Sequence, residues 1–215
     1  MRIVVATNNR GKLEELHALL PDGFALLTLS DAGLDSPEET GSTFEENALI
    51  KARAAASTGA AAIADDSGLV VDALDGRPGV WSSRFAGEGA SDADNNLKLL
   101  EELAGVPDER RAARFVSVVA LVTNDGREFT ACGSVEGRIG HDGRGSGGFG
   151  YDPLLIVTDP DAVAFQGQTM AELTLAEKNQ ISHRARAHRA LLAVLNDAGF
   201  SFGTADAMSG VTERS

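Results

Sequence analysis

The chain has 215 residues, 43% hydrophobic and 24% charged, a composition that fits one soluble globular domain and is short for two. Lys and Arg number 19 against 32 Asp and Glu, a formal charge of −13, which argues against a nucleic acid polymer as partner because that binding is driven by phosphate neutralisation. The single Cys132 excludes an intrachain disulfide, and no stretch reaches the roughly 18 apolar residues of a membrane helix or forms a signal peptide, so a cytoplasmic location is expected.

In chain order, residues 3–6 predict a short buried strand, and Leu13, Leu16, Leu19 and Leu20 mark one face of a helix over 12–20. Between them lie Thr7, Asn8, Asn9, Arg10, Gly11 and Lys12. Helix N-terminal N–H groups favour anions, and a lysine in the first turn opposes the helix dipole unless an anion sits there. The turn is therefore either a phosphate site or an ordinary strand-to-helix connection with a solvated Lys12. It is not a GxxxxGK[ST] loop.

Residues 25–29 read as a strand and 33–41 as a polar loop. Glu38 and Glu39 in that loop are either solvated or a source of a second hard oxygen ligand, since Mg2+ takes one or two carboxylates. Thr43 and Glu46 have capping-box spacing and open a helix to about Ser57. Its face carries Phe44, Ala48, Ala52 and Ala55, with Asn47 and Lys51 one turn apart. Lys51 by itself reads as a surface lysine or an isolated cation.

Residues 61–64 and 69–74 read as two short strands, with Asp65-Asp66-Ser67-Gly68 ending the first. That tetrapeptide is either a solvated turn or a carboxylate pair at a ligand crevice. Neighbours in an extended chain point to opposite faces, so at most one carboxylate faces a cleft, where it could bind Mg2+ or take a proton from water. Residues 75–79 form a turn, and 92–104 a helix with Leu97, Leu100, Leu103 and Ala104 inward.

Residues 115–123 and 128–135 predict a hairpin around Asn124-Asp125-Gly126. Residues 137–150 hold seven glycines and read as loop. Phe149 and Tyr151, interleaved with Gly148 and Gly150, suit either a flat ligand or a hinge with core aromatics, and Asp152 reads a base edge or caps a turn. Residues 151–157 predict a strand. Thr174 and Glu177 form another capping box before a last helix to about Ala198, which buries Ala187, Leu191, Val194 and Leu195. Ser182 has N-cap chemistry, which would put His183 and Arg184 in a first helical turn. With Lys178, Arg186, His188 and Arg189 they form a basic cluster, either a solvated face or an anion site.

The pattern argues one mixed-sheet α/β domain over 1–202, with two lobes around a cleft, and a flexible tail over 203–215. Global acidity does not exclude a small anionic ligand. At about 20 Å in water a unit charge contributes only about 0.2 kcal/mol, far less than a lysine or metal at about 4 Å, so a local basic pocket can outweigh it.

Taken together the segments resemble the inosine/xanthosine triphosphate pyrophosphatases, which hydrolyse non-standard purine nucleotides. The resemblance is carried by residues 6–12, by Glu38-Glu39-Thr40-Gly41 with residues 43–48, by residues 62–69 and 76–79, by residues 147–153, and by Glu172-Leu173 with residues 177–179 and 182–184. It implies an elongated mixed sheet flanked by helices, a central cleft and a homodimer. It also implies Mg2+-dependent conversion of ITP, dITP or XTP to monophosphate and pyrophosphate. Under it, Thr7, Asn8, Asn9, Arg10, Gly11 and Lys12 would hold phosphates, and Glu38 and Asp66 would lie near the metal, with Asp66 as general base. Lys51 and Ser67 would bind substrate, while Phe149, Gly150, Tyr151, Asp152, Lys178, His183 and Arg184 would contact base and phosphates. The family commonly has Gly where Asn8 stands, and tyrosines where Trp81 and Phe85 stand.

Overall fold

Of the 215 residues, the computed structural model describes 2–7, 12–13 and 25–200. Strand β1 (Arg2–Val5) pairs in parallel with β2 (Ala25–Thr28) and with β3 (Ala61–Val71). From β3 onward the pairing is antiparallel, through β4 (Ala112–Val122), β5 (Glu128–Ile139) and β6 (Leu155–Val157). The order β2-β1-β3-β4-β5-β6 makes one six-stranded mixed sheet, the α/β architecture expected. The described helices are α1 (Phe44–Ala56), α2 (Asp92–Glu102), α3 (Leu175–Ile181) and α4 (His183–Asp197).

The main departure from the sequence reading is β3. Two short strands split by a turn are expected, yet one strand of eleven residues runs straight through, with Asp65, Asp66 and Ser67 in register with Val119, Val118 and Ser117 of β4. Buried charge is tolerated when it is paired, and both aspartates have cationic partners from other elements, so the backbone need not leave the sheet to solvate them.

These polar residues divide the core. On their N-terminal side, Ala62 and Ala64 pack with Ala48, Ala52 and Ala55 of α1 on one face. Ile63, Val119 and Leu121 pack with Ala187, Leu191 and Leu195 of α4 on the other, where Leu13 also rests. On their C-terminal side, Leu69 and Val71 join Leu99, Leu103, Phe115, Ile139 and Leu155 in a separate cluster. A cleft opens where the apolar packing is interrupted.

Several element ends also differ. Lys12 and Leu13 are helical as expected, while 14–20 lie outside the described residues, as does the tail 203–215. The hairpin turns at Gly126 (φ 83°), whose N–H donates to the Thr123 carbonyl, but β5 continues to Ile139. Residues 151–154 turn, with the N–H of Leu154 donating to the Tyr151 carbonyl, so β6 is shorter than expected. The last helix is two: extended Ser182 ends α3 and caps α4, its Oγ accepting from the Ala185 N–H. Leu97, Ala104 and Val194, expected inside, are exposed; α2 instead buries Asn95, whose Oδ1 accepts from the Ala86 N–H.

Helix α4 lies so close to β5 at Gly133 that a Cβ there would stand 2.3 Å from the Ala187 N and 2.4 Å from the His183 O. Both are backbone atoms and cannot swing away. Gly133→Ala is expected to destabilise by about 1–3 kcal/mol in urea unfolding, as overpacking does; an unchanged midpoint would show that α4 has room.

Candidate active site

The alternation of β3 sends Asp66 and Gly68 toward α1, and Asp65 and Ser67 toward α4. On the α1 side, Lys51 Nζ lies 2.8 Å from Asp66 Oδ1 and 2.8 Å from Glu39 Oε1, bridging two carboxylates. One turn earlier, Asn47 Nδ2 donates to Asp66 Oδ2 at 3.3 Å while its Oδ1 accepts from the Gly41 N–H at 2.8 Å. Asn47 thus ties the acidic loop to the strand. Gly41 permits this closeness, because a Cβ there would lie 2.6 Å from both Asn47 Oδ1 and Glu46 Cβ. Burial raises the Asp66 pKa; Lys51 opposes the shift and Glu39 reinforces it, and the net direction is upward. Burial works against the Lys51 ammonium, yet Asp66 and Glu39 outweigh it and raise its pKa.

On the α4 side, Asp65 Oδ2 accepts from Arg184 Nε at 3.0 Å and lies 3.1 Å from Lys12 Nζ. Arg184 Nη2 donates to Ser67 Oγ at 3.1 Å. Burial alone would raise the Asp65 pKa, but the charges of Lys12, Arg184 and Lys51 overwhelm it and hold the carboxyl far below the usual range. Asp65 is a fixed anion of the scaffold. Burial lowers the pKa of Lys12, with Asp65 resisting.

The glycine-aromatic loop forms the third wall. Asp152 Oδ2 accepts from the Phe149 N–H at 2.9 Å and lies 2.7 Å from Lys178 Nζ, so it caps the turn and pairs with a buried cation. Lys178 Nζ is 4.8 Å, and the Arg184 guanidinium carbon 5.7 Å, from the Phe149 ring centroid. Tyr151 donates its hydroxyl to the Ser82 carbonyl at 2.8 Å, and burial raises its pKa. His183 stacks on Phe115, rings 5.0 Å apart. Burial, then the charges of Arg184 and Lys178, keep His183 neutral, and its Nδ1 is buried without a partner.

Thr7, Lys12, Lys51, Asp66, Ser67, Phe149, Gly150, Tyr151, Asp152, Lys178, His183 and Arg184 all line one cleft of about 310 Å³, within the range of small-molecule sites. Asn8, Asn9, Arg10 and Gly11 lie outside the described residues. Glu38 does not line the cleft and is exposed; its neighbour Glu39 faces Lys51 instead. The basic cluster also divides: Arg186 pairs with Asp159 at 2.6 Å, and Arg189 donates to the Gln180 carbonyl, both away from the cleft. Sequence reasoning leaves Asn47 without a role, although a polar residue on an alanine-lined helix face, four residues before a lysine, is a readable signal.

Among the described residues, the cleft is lined by the cations Lys12, Lys51, Lys178 and Arg184 and by the carboxylates Glu39, Asp66, Asp92 and Asp152. Among the described residues no three His, Cys, Asp or Glu gather as a metal cage. Asp66 and Glu39 do offer hard oxygens around one shared positive charge, the donor chemistry that suits a hard divalent ion with open positions.

A sequence model of the Ham1 family matches residues 3–194. A dITP/XTP pyrophosphatase of Geobacter sulfurreducens is 54% identical over 200 residues, which cover 91% of this chain and 95% of that protein. One from Desulforamulus reducens is 50% identical over 199 residues, 91% of this chain and 96% of that protein. Among solved structures, the Staphylococcus aureus Ham1 protein matches with a TM-score of 0.80 at 42% identity, covering 92% of this chain and all of the other (100%). A HAM1 protein from Coxiella burnetii matches with a TM-score of 0.80 at 45% identity, covering 92% and 99%. The chain belongs to the Ham1 family.

Proposed function

We propose that the chain hydrolyses non-standard purine nucleoside triphosphates (ITP, dITP and XTP) to the monophosphate and pyrophosphate. The observation that carries this reading is the Asp66–Lys51–Glu39 triad in the same cleft as the Phe149 loop, an acid-and-cation end beside an aromatic end. The relatives named dITP/XTP pyrophosphatases support the substrate class.

Water is a poor nucleophile, and Asp66, whose pKa burial raises, would accept a proton from it. Asp66 and Glu39 would hold Mg2+, which when bound neutralises phosphate charge and makes water more acidic. Lys12 and Arg184, both lining the cleft, would add positive charge to offset that developing on the leaving pyrophosphate. The Phe149 ring offers a face to the base. Donors aimed at O6 favour a 6-keto purine, since adenine would leave each unpaired at a cost of about 1–3 kcal/mol. A homodimer, implied by the family resemblance, and a cytoplasmic location, suggested by the single Cys132, complete the proposal. No described helix is long and apolar enough to cross a membrane.

A panel of dITP, XTP, ITP, dATP, dGTP and dCTP with Mg2+ tests the reading. The kcat/KM for dITP and XTP is expected to exceed that for dATP by about tenfold or more, as even one buried donor left unpaired would produce, and EDTA is expected to abolish turnover. Equal turnover of dATP would overturn the specificity; binding without pyrophosphate release would make the protein a nucleotide-sensing module instead.

A further inference from the structure

We propose that Asp92 and Asn96 of α2 are positioning residues that hold the Phe149–Asp152 loop in its substrate-receiving shape by gripping the Gly150 peptide groups. Asp92 Oδ2 accepts from the Gly150 N–H at 2.6 Å, and Asn96 Nδ2 donates to the Gly150 carbonyl at 3.0 Å. The two side chains stand four residues apart on one face of the helix, the spacing at which neighbours can act on a single target. Neither belongs to a segment that carries the family resemblance. The inference rests on the proposed function.

Gly150 is the point of the loop that needs holding. Its φ of 60° is left-handed, a conformation glycine enters and leaves easily, and Gly143, Gly145, Gly147 and Gly148 precede it. The residues on either side are fixed by side-chain contacts of their own. Phe149 gives its N–H to Asp152, and Tyr151 gives its hydroxyl to the Ser82 carbonyl. Between these anchors, rotation about Gly150 would swing the Phe149 ring away from Lys178 and Arg184.

Helix capping does not account for Asp92. Ser91 and Asp94 already close the N-terminus of α2 as a reciprocal capping box, which leaves Asp92 to reach across to Gly150. Asn96 leaves its own Oδ1 buried without a partner, a penalty that its bond to Gly150 offsets. Helix α2 is itself anchored by Leu99 and by its C-cap Leu103 in the core cluster beyond the cleft. The grip therefore ties the aromatic wall to a rigid element.

The test is steady-state turnover of XTP by wild type, Asp92→Ala, Asn96→Leu and Asp92→Asn, with inorganic tripolyphosphate as a competitive probe of the phosphate end. Asp92→Ala and Asn96→Leu are each expected to raise the KM for XTP about tenfold, as a modest displacement of a substrate-contacting group does, with kcat within about threefold. The inhibition constant of tripolyphosphate is expected to stay at the wild-type value. Asp92→Asn keeps an oxygen that accepts from the Gly150 N–H and is expected to recover at least half of the lost kcat/KM. A rise in KM matched by weaker tripolyphosphate binding, no rise at all, or an Asp92→Asn as impaired as Asp92→Ala would overturn the proposal. Hydrogen exchange of the Gly150 amide reads the grip apart from turnover. It is expected to accelerate about tenfold in Asp92→Ala, and unchanged protection would contradict the proposal even if XTP proved not to be a substrate.

Discussion

Asp66→Asn is expected to lower kcat for XTP by about 10²–10⁴-fold, the usual contribution of a general base, while far-UV circular dichroism and the urea midpoint stay close to wild type. The amide has the shape of the carboxylate but cannot take a proton at neutral pH. The fold should tolerate it for a reason visible in the titration of Asp66. A raised pKa means that the folded protein disfavours the charged form relative to the unfolded chain, so removing the charge removes a strain rather than a support. Lys51 keeps Glu39 as a partner at 2.8 Å. A variant with kcat within tenfold of wild type would remove Asp66 from the chemistry.

The neighbouring substitution should do the opposite. Asp65→Asn is expected to cost about 3–5 kcal/mol of stability, because it removes the buried carboxylate that Lys12 and Arg184 share. The pH dependence has a definite sign. The folded carboxyl titrates far below its ordinary value of 3.8, so its contribution is complete above about that pH and is lost as pH falls below it toward the folded pKa. Metal-free wild type should therefore lose stability through that acid window, and Asp65→Asn should lack this part of the loss. Urea unfolding of both proteins across the window checks it. A loss under about 1 kcal/mol at neutral pH would mean that the two cations find other partners.

That two adjacent aspartates face opposite sides of the sheet, only one of them toward the cleft, is legible in the sequence, since strand geometry alone separates their faces. That they sit mid-strand is not. Asp-Asp-Ser-Gly has the local chemistry of a turn, and what keeps it extended are Lys51 from α1, Lys12, and Arg184 from α4, the last 119 residues away from Asp65 along the chain. No local window contains that information.

Glu39 rather than Glu38 facing the cleft has a similar origin. Which side of an extended loop turns inward is set here by Gly41 docking on Asn47, a contact decided by the absence of a side chain. The basic cluster between Lys178 and Arg189 reads as one charged patch, yet helical rotation sends Arg184 to Asp65 and Arg186 to Asp159. The capping boxes, the hairpin and the aromatic loop are legible because each is a short-range pattern with its own chemistry. Leu97 and Val194 point outward because hydrophobic periodicity locates a helix better than it fixes the helix's rotation about its axis.

The chemistry itself is tested most directly by the phosphorus-31 spectrum of XTP after limited turnover with Mg2+. Cleavage between the α and β phosphates predicts xanthosine monophosphate and pyrophosphate in equal amounts, with no orthophosphate at early times. Xanthosine diphosphate with orthophosphate would contradict the account.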